Sequence, residues 1–499
     1  MSAAGALVRT RPPRAERAST VSVARLLRTE LRRSPWPWMI PLLAALFFFD
    51  PFRTAMSYPP VWGVRASVIT NKLLPDFEAF AAGVAAWAGS RDGRRGATDL
   101  LTTTPWPVWA RRGVALAATM CWVLATYLVF VAVLYIAIAR ASSWGGPPLW
   151  PVAVGAAVLA ALCAAGFAAG TFFPGRFTAP LVALGVFLIS VSVFKNAVGS
   201  TGGYTLLSPS GVVPNPDIGV FYHYPPDLPT AQALFFGGVA VAAAGALGLF
   251  AVTGEVRLRR VAAVIAVAGV AAAGTGAGLA GTSRQEAYGV VIPALHDAAS
   301  DRPVLYTPVC GDAGGVPVCL HPAFRAFLAG TVAALRPVLA EVAGLPGGPV
   351  RADQVATQAM NGPQASITGT PPVFHFDMLN TPGSFAVSTA GFDDSLRVGF
   401  VTAFVSGSRI SGGALRGGTR PAEAQIAVQA ALLEVAGVPL SAQRAGLGFG
   451  GIQEPPADRA RIFAVAQRFA ALPSVTQHAW LAARLPALRA GQITLAQLP

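Results

Sequence analysis

Long apolar segments, separated by short charged or proline-containing stretches, dominate residues 35–281. A helix needs about 20 apolar residues to cross the hydrocarbon of a bilayer. The pattern therefore predicts about seven transmembrane helices. They cover residues 36–56, 74–89, 114–139, 151–173, 178–198, 233–253 and 261–281. The first contains prolines and the second is short, so the pattern leaves open whether these two cross fully.

Residues 282–499 have a different, mixed pattern. Short runs at 303–310, 316–321, 373–376 and 384–389 favour strands, and longer ones at 321–342, 421–436, 457–472 and 474–484 favour helices. A segment of this length can form a domain with its own core. The sequence thus predicts an α-helical membrane protein of about seven transmembrane helices (35–281), followed by an α+β extracytoplasmic domain (282–499).

Composition and charge support this division. The chain is 54% hydrophobic and 12% charged, whereas soluble domains have about 25% charged residues. The net charge of +14 comes from arginines beside the apolar runs, not from one basic module, so we do not expect nucleic-acid binding. The segments outside the predicted spans alternate in charge along the chain. One set holds seventeen positively charged residues and the other set holds five. The positive-inside rule then predicts a cytoplasmic N-terminus at the plasma membrane and an outer C-terminal domain.

The predicted cytoplasmic segment 90–113 has a defined local pattern. Thr98 can cap a helix and Asp99 favours its first turn. Pro105 ends the helix, since the residue before a proline avoids the α conformation. The pattern predicts a short helix over 99–104 that presents Leu100 and Leu101. Upstream, the basic tail 1–34 ends in a segment with leucines at helical spacing between arginines, which predicts an amphipathic helix.

The stretches "RLLRTELRR" and "RDGRRGATDLLTTTPWP", in this order around the first two predicted spans, resemble the membrane subunit of type-2 ABC exporter permeases. The resemblance covers about residues 20–253. It implies a separate ABC ATPase subunit, a dimer of permease subunits, and an ATPase-coupling role for six residues: Arg94, Arg95, Asp99, Leu100, Leu101 and Pro105. The sequence departs from the family in having an aspartate at 99 where glutamate is common, and in adding a seventh span and an outer domain.

The motifs of nucleotide binding and of two common hydrolase classes do not occur in the sequence. Neither of the two lysines completes Gly-x-x-x-x-Gly-Lys, and His-Glu-x-x-His and Gly-x-Ser-x-Gly are absent too. We therefore expect no enzyme activity, catalytic site or cofactor on this chain, with ATP bound by a partner subunit. A zinc site at "CLH" lacks a fourth close ligand, so no metal is expected.

Cys310 and Cys319 flank "GDAGGVPV" in the predicted outer domain. Gly314 and Gly315 suit a two-residue hairpin turn, because both central positions of a type I′ turn need a positive φ. Pairing from that turn places Cys310 opposite Cys319, with Cα atoms about 4.5 Å apart. The sequence predicts a disulfide, and its rival is a wider loop with two free thiols.

Two other functions remain to be weighed. The spans could serve as a scaffold for an outer domain that binds or senses a ligand. An ion-coupled transporter would require internal repeats and charges at mid-membrane, and the sequence has neither. Asp76, Glu78 and Lys195 are instead expected at the rims of their spans. The transported substrate cannot be read from the sequence.

Overall fold

The computed structural model describes most of the chain in segments. These are 23–95, 107–197, 218–223, 226–252, 256–286, 289–356, 365–378, 389–407, 410–411, 414–415, 423–440 and 456–499. The predicted tail residues 1–22 and coupling helix 99–104 lie outside these segments, as do most of the weak strand predicted at 384–389 and the middle of the loop before the sixth predicted span.

The N-terminal half is built of helices. Prolines and glycines interrupt the apolar runs and separate the helices from one another. The helices are α1 (Val23–Arg33), α2 (Trp36–Ser57), α3 (Trp62–Ala66), α4 (Leu74–Arg94), α5 (Val108–Ala141), α6 (Trp150–Phe172), α7 (Thr178–Ala197), α8 (Ile218–Phe221), α9 (Asp227–Ala251) and α10 (Val256–Gly281).

α2 contains a π-helical turn at the point where its sequence changes from apolar to polar. Residues Phe48–Phe52 form a π-helical turn that includes Pro51. Proline has no N–H to donate inside a helix and its ring displaces the preceding turn, so the backbone widens there. The helix continues to Ser57, and it is therefore one irregular rod that is long enough to cross a membrane.

Among the described residues, six helices are long and apolar enough to cross a membrane, not the predicted seven. Five of them coincide with predicted spans, namely α2, α5, α6, α9 and α10. The helix α4 carries charged residues near both ends, and Thr178–Ser192 is the apolar segment of α7 within the described residues. The sixth apolar helix, Pro322–Val342, lies in the sheet region, where its apolar face is part of the domain core.

The C-terminal half contains two sheets. A two-stranded hairpin of β1 (Arg284–Glu286) and β2 (Gly289–Val291) follows α10 directly. A seven-stranded mixed sheet has the order β3-β4-β5-β7-β6-β8-β9. Its strands are β3 (Val309–Asp312), β4 (Pro317–Leu320), β5 (Arg351–Gln354), β6 (Ala365–Thr368), β7 (Val373–Phe376), β8 (Ile410–Ser411) and β9 (Ala414–Leu415).

Helices cover this sheet and complete the core. They are α11 (Leu328–Val342), α12 (Thr389–Ser406), α13 (Glu423–Val435), α14 (Pro456–Ala470) and α15 (Ser474–Arg489). The strands β4 and β5 are parallel, so α11 serves as the crossover that parallel strands require. The α+β character of this region is thus as predicted, although α12, β5 and β6 did not emerge from the sequence.

Three clusters of buried apolar residues hold the molecule together. One lies within the helical bundle, around Trp36, Phe77 and Tyr127. A second fills the sheet region and also includes Val61, just before α3, and Phe221, the last residue of α8. A small third cluster joins the start of α9 and the end of α10 to β2. The sheet region is therefore packed directly on one end of the bundle.

Candidate functional site

The predicted coupling residues fall around the end of α4. Arg94 is in its last turn and Arg95 is the exposed residue that follows it. The other four, Asp99, Leu100, Leu101 and Pro105, lie outside the described residues. The structure therefore describes the elements around this segment, namely the end of α4, the start of α5 and the amphipathic helix α1.

Arg94 is folded back onto its own helix. Its guanidinium carbon lies 3.7 Å from the centre of the Trp87 ring, in a cation–π contact. Its Nη2 donates to the Trp87 carbonyl oxygen at 3.1 Å. A cation at a helix C-terminus also offsets the partial negative charge there. Arg94 thus packs against the C-terminal end of α4, whereas Arg95 is exposed.

The helix α1 is fastened to both neighbouring helices. Glu30 on α1 forms an ion pair with Arg91 on α4, with 2.8 Å between carboxylate oxygen and Nη2. Trp122 on α5 donates its indole N–H to the Leu31 carbonyl oxygen at 2.9 Å. The predicted amphipathic helix is confirmed over Val23–Arg33. It forms one structural unit with the two helices that flank the coupling segment.

The helix α4 packs against α6 almost backbone to backbone. A Cβ at Gly170 would lie 2.0 Å from the Ala86 carbonyl oxygen, and one at Gly166 would lie 2.4 Å from that of Ala82. Gly89 has the same relation to the Phe167 carbonyl, at 2.2 Å. Only glycine fits at these positions. Small residues four apart are typical of close helix pairs in membranes.

Glu78, which the sequence predicts at the rim of its span, is buried between helices of the bundle. It lies on α4 and accepts a hydrogen bond from the hydroxyl group of Ser190 on α7. The sequence prediction placed it by its distance from the end of the apolar run. The sequence pattern does not show that α7 covers this face of α4, because Glu78 and Ser190 are 112 positions apart.

The opposite end of the bundle is organised by a buried arginine. Arg65 is 7% exposed, and it donates to the carbonyl oxygens of Tyr58, Pro59 and Ala141. These contacts join the loop after α2 to the end of α5. Sequence reasoning had counted Arg65 only as a loop charge. Its structural role depends on the Ala141 carbonyl, which is 76 positions away in the chain.

His321 lies where this end of the bundle meets the sheet region. Aromatic rings surround it, with centroid distances of 4.2 Å to Tyr306, 4.6 Å to Trp144 and 5.2 Å to Phe221. Its Nδ1 accepts the N–H of Ala323, so the proton of the neutral ring is on Nε2. Burial among the rings lowers the pKa of His321 to about 4, which keeps the ring neutral at physiological pH.

A second histidine, His296, links the bundle to the sheet region through ion pairs. His296 lies 3.1 Å from Asp227 through Nδ1 and 2.8 Å from Asp301 through Nε2. Burial alone would lower the pKa of His296, but the two carboxylates bind the protonated ring and raise it. Asp227 is the first residue of α9 and also accepts the N–H of Ile292. The cluster therefore anchors α9 to the segment after β2.

The predicted disulfide is confirmed. Cys310 and Cys319 are bonded, with Cα atoms 4.1 Å apart. They face each other in the register derived from the turn, and Gly314 and Gly315 both have positive φ. The rival of two free thiols is excluded, and with it a metal site on these cysteines. In the described part of the chain, no three His, Cys, Asp or Glu residues are grouped to hold a metal ion.

Comparison with known protein families, with characterised proteins and with solved structures yields no match. These comparisons identify no transporter family, so the resemblance to exporter permeases stays a prediction.

Proposed function

We propose that this chain is the membrane permease subunit of an ATP-driven export system. A separate ATPase subunit would bind segment 99–104, between α4 and α5, and ATP would be bound by that subunit. The observation that carries the proposal is the packing of α4. This helix leads directly into the segment and lies against α6 through carbonyl contacts at Gly89, Gly166 and Gly170.

The packing suits the transmission of a movement. A push on the segment reaches α4 along its axis, because a helix is stiff along its length. Glycine surfaces have no side chains that interlock, so α4 can shift along α6 by small sliding, the shear motion seen in switching proteins. The ion pair of Arg91 with Glu30 moves α1 together with α4. The bundle thereby changes between two packings as the ATPase closes.

The contacts at helix ends support seven crossings. Gly93, in the last turn of α4, lies against Pro174, after α6, on the side of α1. Ala141, at the end of α5, contacts Arg65 on the side of the sheet region, and α9 also begins on that side. We infer from this alternation that α4 and α7 cross as well. We propose that the α1 side is cytoplasmic, since it holds most of the arginines, and that the sheet domain lies outside the plasma membrane.

The resemblance also implies two permease subunits. The outer face of α10 has exposed valines, among them Val264 and Val267, each 68% exposed. Such a face can be covered by lipid or by a second subunit. The proposed complex contains two membrane subunits and their ATPases in one bilayer.

The alternative function is a membrane-anchored outer domain that binds or senses a ligand. The separate core and disulfide of the sheet region favour a stable module. This alternative gives the coupling segment no role. The two functions therefore differ in what a change at 99–104 does to the protein.

The first prediction tests coupling with the double substitution Leu100→Asp and Leu101→Asp. The ATPase that co-purifies with the wild-type chain should be lost, because burial of each leucine contributes about 1.5–3 kcal/mol to binding. The matched control is Leu305→Asp, at a leucine that is 93% exposed in the sheet region. An unchanged yield of ATPase with the double variant would contradict the proposal and favour the alternative.

The orientation is tested separately, by labelling of single cysteines. Cys121 and Cys163, the free cysteines, are first replaced by alanine. Single cysteines at the exposed positions of Arg28 and Leu305 are then treated with an impermeant maleimide on intact cells. Labelling only at 305 is expected. Labelling only at 28 would invert the orientation, and labelling at both would contradict an odd number of crossings.

A further inference from the structure

A cleft opens between α5, α9 and α10 on the α1 side of the bundle. It encloses about 250 Å³ and its walls are almost entirely apolar. That volume is below the range of about 300–1,000 Å³ typical of pockets that enclose a whole small molecule. Its lining side chains include Leu116, Leu247, Val252, Val261 and Ile265. The space is suited to part of an extended apolar molecule.

The cleft has one charged residue in its lining. Arg112 lines it beside Trp109, both in the first turns of α5. Within the part of the chain that the structure describes, Arg112 makes no hydrogen bond and no ion pair. The charges of Asp92 and of the neighbouring Arg111 act on it from a distance and oppose each other. A guanidinium with unused donors therefore borders an apolar cleft.

The surroundings of the opening are also positive. Leu258 lines the cleft, and its chain neighbours Arg257 and Arg259 are exposed, as is Arg260. The helix α10 contains no acidic residue. The charge complementarity therefore points to an anionic group at the mouth of the cleft.

The cleft faces the bilayer. Two of its lining residues, Val261 and Ile265, are 50% and 41% exposed on the outer surface of α10, which is an apolar helix long enough to cross a membrane. Trp109 is 40% exposed, and tryptophan is enriched at the level of lipid headgroups. A ligand that reaches this cleft laterally must be soluble in the bilayer.

We propose that the cleft binds one anionic glycerophospholipid. One acyl chain lies along Leu247 and Val261, and the headgroup phosphate accepts hydrogen bonds from Arg112. Basic pockets between membrane helices suit such headgroups, and guanidinium pairs well with phosphate. The bound lipid holds α5 against α9 and α10. This site does not depend on the proposed coupling to an ATPase.

The test measures lipid binding to the full-length protein in neutral detergent by native mass spectrometry. Phosphatidylglycerol and phosphatidylcholine with the same acyl chains are titrated in parallel, and glycerol 3-phosphate serves as a headgroup without chains. We expect a saturable phosphatidylglycerol adduct, at least about tenfold tighter than phosphatidylcholine, because the choline cation of phosphatidylcholine is repelled by the arginines at the mouth of the cleft, whereas phosphatidylglycerol has a net negative charge. Equal binding of the two lipids, or binding of glycerol 3-phosphate, would overturn the proposal.

Two variants locate the site. Arg112→Gln should weaken phosphatidylglycerol binding about tenfold and reduce its preference over phosphatidylcholine, whereas Arg140→Gln, at the other end of α5, should alter neither. Ala244→Trp, at an exposed lining position, should exclude both lipids while Arg112 is retained. Its control is Ala268→Trp, an exposed α10 residue outside the lining.

Size-exclusion chromatography and thermal unfolding show whether each variant is folded like the wild type. Wild-type affinity in Arg112→Gln or in Ala244→Trp would overturn the proposal. If Ala244→Trp instead dissociates an oligomer and leaves lipid binding intact, the cleft is an interface between copies of the chain and the proposal is wrong.

Discussion

The helical bundle and the sheet region achieve close packing with opposite kinds of residue. In the bundle, α4 meets α6 and α9 meets α10 at glycines, such as Gly170 and Gly269, whose neighbours are backbone atoms. In the sheet region the central residues are aromatic, with Phe374 between Phe376 and Phe400.

The solvent of each region explains this difference. Between membrane helices there is no water to expel, so association depends on dispersion contacts at short range and favours small residues. A domain in water is stabilised by the apolar area that it removes from solvent, so large side chains contribute most. Loss of volume should therefore damage the sheet region, and gain of volume the bundle.

The largest loss of stability is expected for Phe374→Ala. The side chain is fully buried, and its removal leaves a cavity that costs about 3–5 kcal/mol. The measurement is the free energy of unfolding in denaturant of the purified protein. The control is Phe187→Ala in α7, at a side chain that is 52% exposed. Equal losses in the two variants would contradict the comparison.

A smaller loss of stability is expected for Gly170→Val, which adds volume in the bundle. Its Cβ would lie 2.0 Å from the Ala86 carbonyl oxygen, and a backbone atom cannot rotate away. Overpacking typically costs about 1–3 kcal/mol, and the upper end is expected here. The matched variant Gly278→Val places its Cβ where no atom lies within 4 Å. Thermal unfolding in detergent should separate the two, and a neutral Gly170→Val would refute tight α4–α6 packing.

The smallest effect is a pH dependence of the junction between the regions. His321 has a folded pKa of about 4, below its ordinary value, so its contribution is complete above about pH 6.5 and is lost as pH falls towards 4. His296 has a raised pKa, so its contribution is present below about pH 6.5 and is lost as pH rises through the folded pKa. The contribution of His321 is expected to be about 1–2 kcal/mol, and that of the more exposed His296 pairs is expected to be smaller, because solvent screens them.

Two variants separate the loss of stability at low pH (the acid limb) from the loss at high pH (the alkaline limb). His321→Asn keeps an acceptor for the Ala323 N–H and cannot titrate, so it should flatten the acid limb. His296→Gln should flatten the alkaline limb and leave the acid limb intact. The midpoint of thermal unfolding is measured between pH 4 and 9. An acid limb that survives in His321→Asn would show that other groups determine it.

Several features were accessible from the sequence because they depend on neighbouring residues. The hairpin of Cys310 and Cys319 follows from two glycines that accept positive φ, and its register was derived residue by residue. Helix α1 follows from leucines at helical spacing. Five of the apolar helices follow from segment length alone. In each case the determining interactions lie within a few residues or with the surrounding solvent.

The sequence alone therefore determined which segments are apolar helices, where the chain changes from bundle to mixed domain, and how the disulfide hairpin pairs. Only the tertiary structure decided that Glu78 is buried against Ser190, that Arg91 pairs with Glu30, and that Arg112 borders a cleft. The reason is physical: hydropathy and backbone preference act locally, whereas a packing partner is selected among all surfaces of the chain at once.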